Sequence, residues 1–281
     1  MEVLSSNKEK LKIGFIGAGN MASAIIAALL KKGAVAPEQL IVSARTDTRL
    51  AELRQRGIAT TTDNVALLKQ CSDGVVFLCV KPHVWPAIAP ALMYGGRRAL
   101  FISVMAGVSI QKLSQQAFGE RIDLFSLVRA MPNTPARVGE GCCVYAVESV
   151  LSAERKALAA ALLGCLGLVR EVPEQQIDAV TALAGSGPAY IYVAIEALAD
   201  GAVKMGLPRD LALALAAQTV RGAATMVQET GKHPAQLKDE VCSPGGTTIA
   251  GIHKLEEHGF RNALICAVEG AALRAKELGQ E

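Results

Sequence analysis

The sequence predicts an α/β domain built on a mostly parallel sheet, followed by an all-α domain. Three observations predict it. Short β-branched runs alternate with Ala/Leu-rich segments through the first half of the chain. After Pro173 the apolar residues change to helical spacing, and no strand-like run follows Val172. Apolar strands alternating with helices imply a parallel sheet covered on both faces. The boundary is expected near Pro173, giving domains of residues 1–172 and 173–281.

Lys12 to Gly17 reads as the first strand, and Ala22 to Lys32 as the helix after it. Leu40 to Ser43 is a second strand and Thr48 to Gln55 a second helix. Asn64 stands at the end of an expected third strand. Val75 to Val80 and Leu100 to Val104 continue the series. Asp123 to Arg129, Cys142 to Val147 and Leu168 to Val172 complete the sheet. Beyond it, Ile177, Val180, Leu183 and Ala184 follow helical spacing. Long helices are expected from Ala189 to Met205, Arg209 to Thr230 and Phe260 to Leu278, with Pro208 suited to a start and Gly231 to a stop. These helices are apolar on more than one face, and such a helix must be buried. A bundle within one chain would do this; burial against a second copy is the preferred reading.

With 51% hydrophobic and 20% charged residues, the chain is globular rather than disordered. A net charge of +3 without a Lys/Arg run, and only 4% aromatics, argue against nucleic acid as a partner. Every apolar run is cut before about 18 residues, so no membrane span is expected. Met1 to Lys10 resembles neither a secretory signal nor a transit peptide, so the expected location is cytoplasmic. The 7 cysteines show no Cys-x-x-Cys and read as small buried hydrophobes in a reducing compartment; with 4 dispersed histidines, no metal site is expected.

Gly17-Ala18-Gly19-Asn20-Met21-Ala22 has the form Gly-x-Gly-x-x-Ala, and it closes a strand and opens a helix. Gly17 permits the tight turn, Gly19 lets the backbone approach a pyrophosphate, and Ala22 keeps the helix close to the sheet. The second strand ends in Ser43-Ala44-Arg45-Thr46, with no carboxylate before Asp47. An NAD enzyme commonly places an acid there for the ribose 2′-hydroxyl. Two hydroxyls and a guanidinium suit a 2′-phosphate instead, so NADPH is the expected cofactor and NADH a possible one. Ligands in such folds bind at the carboxyl ends of the strands. Those ends carry Val80-Lys81-Pro82-His83, Met105-Ala106-Gly107 and Met131-Pro132-Asn133-Thr134-Pro135. Lys81 is placed to support the cofactor and Asn133 to bond a nicotinamide carboxamide, although either is also ordinary turn chemistry. His83 reads as a loop histidine.

In the second half, Ser243-Pro244-Gly245-Gly246-Thr247-Thr248 precedes a helix. Backbone N–H groups of Gly245, Gly246, Thr247 and Thr248 at a helix start form a cup for a small carboxylate. A plain cap with Thr at the N-cap is the alternative, and the same residues can serve both ends. Ala184-Gly185-Ser186-Gly187-Pro188-Ala189 breaks the helical pattern, with Ser186 or Gly187 near the cap of a new helix.

The chain resembles the pyrroline-5-carboxylate reductases along nearly its whole length. The resemblance rests on Phe15 to Met21, Val80-Lys81-Pro82, Met131 to Pro135, Gly185 to Tyr190 and Val241 to Leu255. It implies a Rossmann-like domain and a helical dimerisation domain, NAD(P)H-dependent reduction of a cyclic imine to proline, and a dimer, often in a ring of dimers. It implies Ile16 to Met21 at the pyrophosphate, Asn64 near the ribose, and Cys79 to Pro82 and Met105 to Gly107 as further cofactor contacts. Glu174 aligns with a residue close to bound proline, Ser186 joins the substrate-binding set, and Thr247 and Thr248 match substrate contacts. Thr248, the hydroxyl nearest the ring nitrogen, is the catalytic candidate. Arg45 stands where some members have serine, and Glu240 where some have asparagine.

Two other readings compete. A β-hydroxyacid or other imine dehydrogenase of this architecture would use a lysine, for which Lys204 is the candidate. A non-catalytic NADP sensor or scaffold is the other.

Overall fold

The computed structural model describes residues 11–94, 98–119, 126–148 and 151–280. The reading of Met1 to Lys10, and residues 123–125 of one expected strand, lie outside them. The first half forms an eight-stranded sheet: β1 (Ile13–Ile16), β2 (Leu40–Ser43), β3 (Ala59–Thr61), β4 (Val75–Leu78), β5 (Leu100–Ser103), β6 (Ser126–Pro132), β7 (Gly141–Val147) and β8 (Gly167–Glu171). Its order is β3-β2-β1-β4-β5-β6-β7-β8. Neighbours are parallel except β6 and β7, which run antiparallel. β1, β2, β4 and β5 are buried at every residue, as β-branched runs covered on both faces must be.

The connecting helices are α1 (Asn20–Lys31), α2 (Leu50–Gln55), α3 (Asn64–Gln70), α4 (Ile110–Phe118) and α5 (Ala153–Gly164). Residues 82–94 form only short helical turns, because Pro82, Pro86 and Pro90 deny a longer helix its hydrogen bonds. One face of the sheet packs with α1 and α5, and on it Phe15 and Phe77 stack at 4.9 Å. The other packs with α3, α4, Trp85 and Ile177. Gly14 makes that second face possible, since a Cβ there would lie 2.6 Å from Leu67 Cδ2.

After β8 come α6 (Gly187–Lys204), α7 (Arg209–Thr230), α8 (Pro234–Val241), α9 (Thr247–Glu257) and α10 (Phe260–Gln280). Among the described residues no strand follows Glu171. The chain divides into two compact units. The first runs to Ser186 and resumes at Ala271; the second is Gly187–Gly270. Residues 174–186, which the spacing assigns beyond Pro173, therefore belong with the sheet. They hold a single α turn (Ile177–Val180) and a π turn (Thr181–Gly185).

In the second unit α6 and α7 pack through Ala199, Ala212 and Ala216, small residues that let two helices approach closely. Much apolar surface is left over: Tyr192, Val193, Met205 and Ile265 are each at least 60% exposed. The stretch Glu174–Lys204 is long and apolar enough to cross a membrane by length and composition alone. The sequence reading of no such span is corrected to that extent.

Candidate active site

The strand order reverses direction at β1 and β4, where an open α/β sheet leaves a crevice beyond its carboxyl ends. Two adjoining clefts open there. One, of about 360 Å³, is lined by Gly17, Ala18, Gly19, Arg45, Thr46 and Asn64, with Cys79, Val80 and Lys81. The other, of about 450 Å³, is lined by Asn20, Met21, Pro82, Met105 and Ala106, with Gly19 shared. Ile16 and Ser43 also line the first. Of the expected cofactor residues, only Gly107 and Asn133 stand outside these walls.

The two loop glycines have different reasons to be glycine. Gly17 sits at φ +107, and a Cβ would come within 2.7 Å of the Cys79 carbonyl oxygen. Gly19 is the N-cap of α1 at φ −80, a conformation any residue adopts, and an added Cβ would meet no atom within 4 Å. Nothing in the protein itself requires glycine at position 19. The open space lies before the uncapped start of α1, where first-turn N–H groups lack side-chain partners and the helix dipole is positive. That combination fits a pyrophosphate.

The β2 end places two arginines on the cleft wall. Arg45 is exposed on the cleft wall beside Thr46. Arg49, which the motif reading passed over, lines both clefts and donates to the Ala18 carbonyl at 3.3 Å. The signal for it was a second arginine four residues after Arg45. Ser43 is buried at the base of the cleft, and its hydroxyl donates to Asn64 Oδ1 at 2.7 Å. Asn64 is the first residue of α3, capped by Asp63, and not a strand end. Burial pushes the Cys79 thiol well above its usual range. His83 is exposed on the cleft rim.

Asn133 is also placed differently. It is buried, its Nδ2 donates to the Ala184 carbonyl at 3.0 Å, and its Oδ1 accepts from the Cys142 N–H at 2.8 Å. The amide ties three segments together. Gly107, at φ +72, is packed under the last turn of α10, with a Cβ position 3.2 Å from Gly279 N. Glu174 is committed inside the first unit: its carboxylate accepts from Ile110 N–H at 2.7 Å and pairs with Arg129 at 3.1 Å. Arg129 is 5% exposed and also pairs with Asp178 at 3.2 Å. Ser186 is half-buried just before α6, its N–H bonded to Thr181 O.

In the second unit, Ser243-Pro244-Gly245-Gly246 forms a tight turn closed by Gly246 N–H to Ser243 O at 3.0 Å. Pro244 and Gly245 occupy its centre, and Gly245 takes φ +68. Gly246, not a threonine, is the N-cap of α9, and it has no side chain to satisfy the first turn. The expected cup is thereby altered: the Gly246 N–H is spent on the turn. Thr247 and Thr248 open the helix with uncapped N–H groups. Lys204 is the exposed last residue of α6.

A glycine-lined crevice at the sheet's switch point, a cationic β2 end and a second helical unit define a dinucleotide-dependent oxidoreductase. Residues 12–107 match the family described as NADP oxidoreductase, coenzyme F420-dependent, and residues 174–278 match that described as pyrroline-5-carboxylate reductase dimerisation. A pyrroline-5-carboxylate reductase of Arabidopsis thaliana is 43% identical over 282 residues, covering 100% of both chains. One from Synechocystis sp. is 44% identical over 271 residues, covering 96% of this chain and 99% of the relative. The crystal structure of the Plasmodium falciparum pyrroline carboxylate reductase with NADP bound superposes with a TM-score of 0.83 at 32% identity, covering 97% of this chain and 99% of that one. The chain belongs to the pyrroline-5-carboxylate reductase family.

Proposed function

We propose that this protein reduces pyrroline-5-carboxylate to proline, the last step of proline biosynthesis, with NADPH as the preferred donor and NADH as a usable one. The observation that carries the reading is the uncapped, glycine-led start of α9, a carboxylate receptor in a chain whose other unit holds a dinucleotide crevice.

When bound, the reduced dinucleotide supplies a hydride to the imine carbon. The chain's own residues do the rest. The loop from Ile16 to Met21 and the start of α1 hold the pyrophosphate. Arg45 and Thr46 serve the 2′-phosphate, Asn64 the ribose, and Cys79 to Pro82 with Met105 and Ala106 the remaining wall. N–H groups of Gly245, Thr247 and Thr248 fix the substrate carboxylate at the positive end of α9. A cyclic imine is readily protonated and its carbon already electrophilic, so no strong protein acid is needed. The Thr248 hydroxyl, able to donate or accept, partners the ring nitrogen. Positioning is then the main task and supplies up to about 7–11 kcal/mol. Ser186 offers a hydroxyl to the substrate, and Glu174 acts by holding the start of α4.

The assembly is at least a dimer, and we extend it to a ring of dimers, with neither nucleic acid nor membrane as a partner. The apolar faces within 174–204 lie in the matched dimerisation region, which accounts for them without a bilayer. All seven cysteines are free, as in a reducing cytosol. We take residue 173 as the functional boundary, since the dimerisation match begins at 174.

The test is direct. Purified protein with NADPH and the imine is followed at the nicotinamide absorbance. Steady oxidation that requires the imine is expected. Protein that binds NADPH but leaves it unoxidised would overturn the reading.

A further inference from the structure

The β2 end holds a feature that the reaction does not use. Between Arg45 and Arg49, the two arginines on the cleft wall, stands one carboxylate, Asp47. Left free, it would act on that wall in two ways. It would offset the positive field of both neighbours. It would also offer an acceptor of the kind that an NAD enzyme presents to a ribose 2′-hydroxyl.

Asp47 is not free. Arg54, on α2, grips it with both ends of its guanidinium: Nη1 donates to Oδ2 at 3.0 Å and Nη2 to Oδ1. The fork is itself aimed, because Arg54 Nε donates to the Thr60 hydroxyl of β3 at 2.7 Å. The guanidinium hydrogen bond holds the Asp47 carboxyl below its usual range, so the pair is ionic at neutral pH. Arg49 faces the other way, toward the Ala18 carbonyl of the pyrophosphate loop. Two arginines thus point to the cleft, while a third turns the intervening acid away from it.

We propose that the Arg54–Asp47 pair is a cofactor-specificity element: Arg54 withholds Asp47 from the cleft so that Arg45 and Arg49 present uncompensated charge to a 2′-phosphate. The inference rests on the reading of this cleft as an NADP site. Both members of the pair are exposed, so their mutual attraction adds little to stability. What the pair controls is the sign of the potential at the wall.

The probes are adenosine 2′,5′-bisphosphate, which carries the 2′-phosphate, and AMP, which does not. Each is titrated calorimetrically into the full chain as wild type, Arg54→Met, Asp47→Asn and the double variant. The expected pattern is threefold. Arg54→Met weakens the bisphosphate by about three- to tenfold and leaves AMP within about twofold. Asp47→Asn changes either probe by less than about twofold. The double variant regains bisphosphate binding, since no acid remains to be withheld. Arg54→Met binding the bisphosphate like wild type would overturn the proposal, as would a double variant as weak as Arg54→Met, which would make Arg54 itself a ligand. Wild-type protein that bound both probes equally would overturn the underlying NADP reading and the proposal with it.

Discussion

Asn133 holds Ala184: its side-chain amide donates to that residue's carbonyl at 3.0 Å, across 51 positions of sequence. Pro188, four residues on, has no N–H to give that carbonyl, and Asn133 satisfies it. Asn133→Ala strands buried groups on both sides of the amide. It should cost about 1–3 kcal/mol per unsatisfied group, read as a lower urea midpoint at unchanged m. NADPH affinity of the folded variant should stay near wild type. Selective loss of NADPH binding would return Asn133 to the cofactor.

Gly17 and Gly19 should separate stability from binding. Gly17→Ala forces a Cβ against the Cys79 carbonyl at a left-handed φ and should cost roughly 1–3 kcal/mol in unfolding. Gly19→Ala should lose less than about 1 kcal/mol of stability, mostly through poorer capping. It should nevertheless weaken NADPH by about tenfold or more, measured by quenching or calorimetry. A Gly19→Ala protein with normal NADPH affinity would mean that the open space at α1 is not the pyrophosphate seat.

Thr248→Ala should lower kcat/KM for the imine by roughly 1–3 kcal/mol, the scale of one hydrogen bond rather than a missing acid. Gly246→Val should lose more, because its side chain meets Ser243 Oγ at a Cβ distance of 2.3 Å and fills the mouth of the turn. NADPH binding should persist in both. Full activity of Thr248→Ala would remove Thr248 from the reaction.

Cys71 is buried, and its thiol is pushed up to about 12 by loss of solvation. The unfolded thiol ionises near 8.5, so its stabilising effect is complete below that pH and is lost between it and about 12. Chemical denaturation should show stability falling as pH rises above about 9, by up to about 1.4 kcal/mol per unit for this thiol. Below pH 8, iodoacetamide should label exposed Cys266 and spare Cys71. Rapid labelling of Cys71 in the folded protein would contradict its burial.

Val193 and Ile265 are each 65% exposed in the single chain. Covering such a side chain is worth about 1.5–3 kcal/mol, so a charge there should split the dimer. Light scattering of Val193→Asp or Ile265→Asp at low micromolar concentration should give a reduced mass. A mass equal to wild type would place that residue outside the interface.

The sheet was legible because fully buried parallel strands read as unbroken apolar runs. Leu40 to Ser43 and Arg209 to Thr230 are found at the expected bounds. The clefts were legible because sequence fixes which residues leave the strand ends. Side-chain direction was not. Ser43 and Arg45 are two residues apart, yet one hydroxyl turns inward to Asn64 while the guanidinium stays on the wall, a distinction set by how α3 packs on β2. The Arg54–Asp47 pair spans seven residues and crosses from one helical turn to another, outside the i,i+4 rule that sequence alone supports. The commitments of Asn133 and Glu174 depend on partners 51 and 64 positions away, which no local pattern reveals.

Gly107 and Gly279 meet backbone to backbone, so the loop after β5 is roofed by a turn made 172 residues later. On the ribosome that interval lasts about 10–30 s. In its later part, once β8 has been made, the nascent sheet has all its strands but lacks the contact that seats the Met105–Gly107 loop. The nucleotide cleft is therefore completed only after α10 has been made, and a chain stalled in the helical region carries an unfinished one.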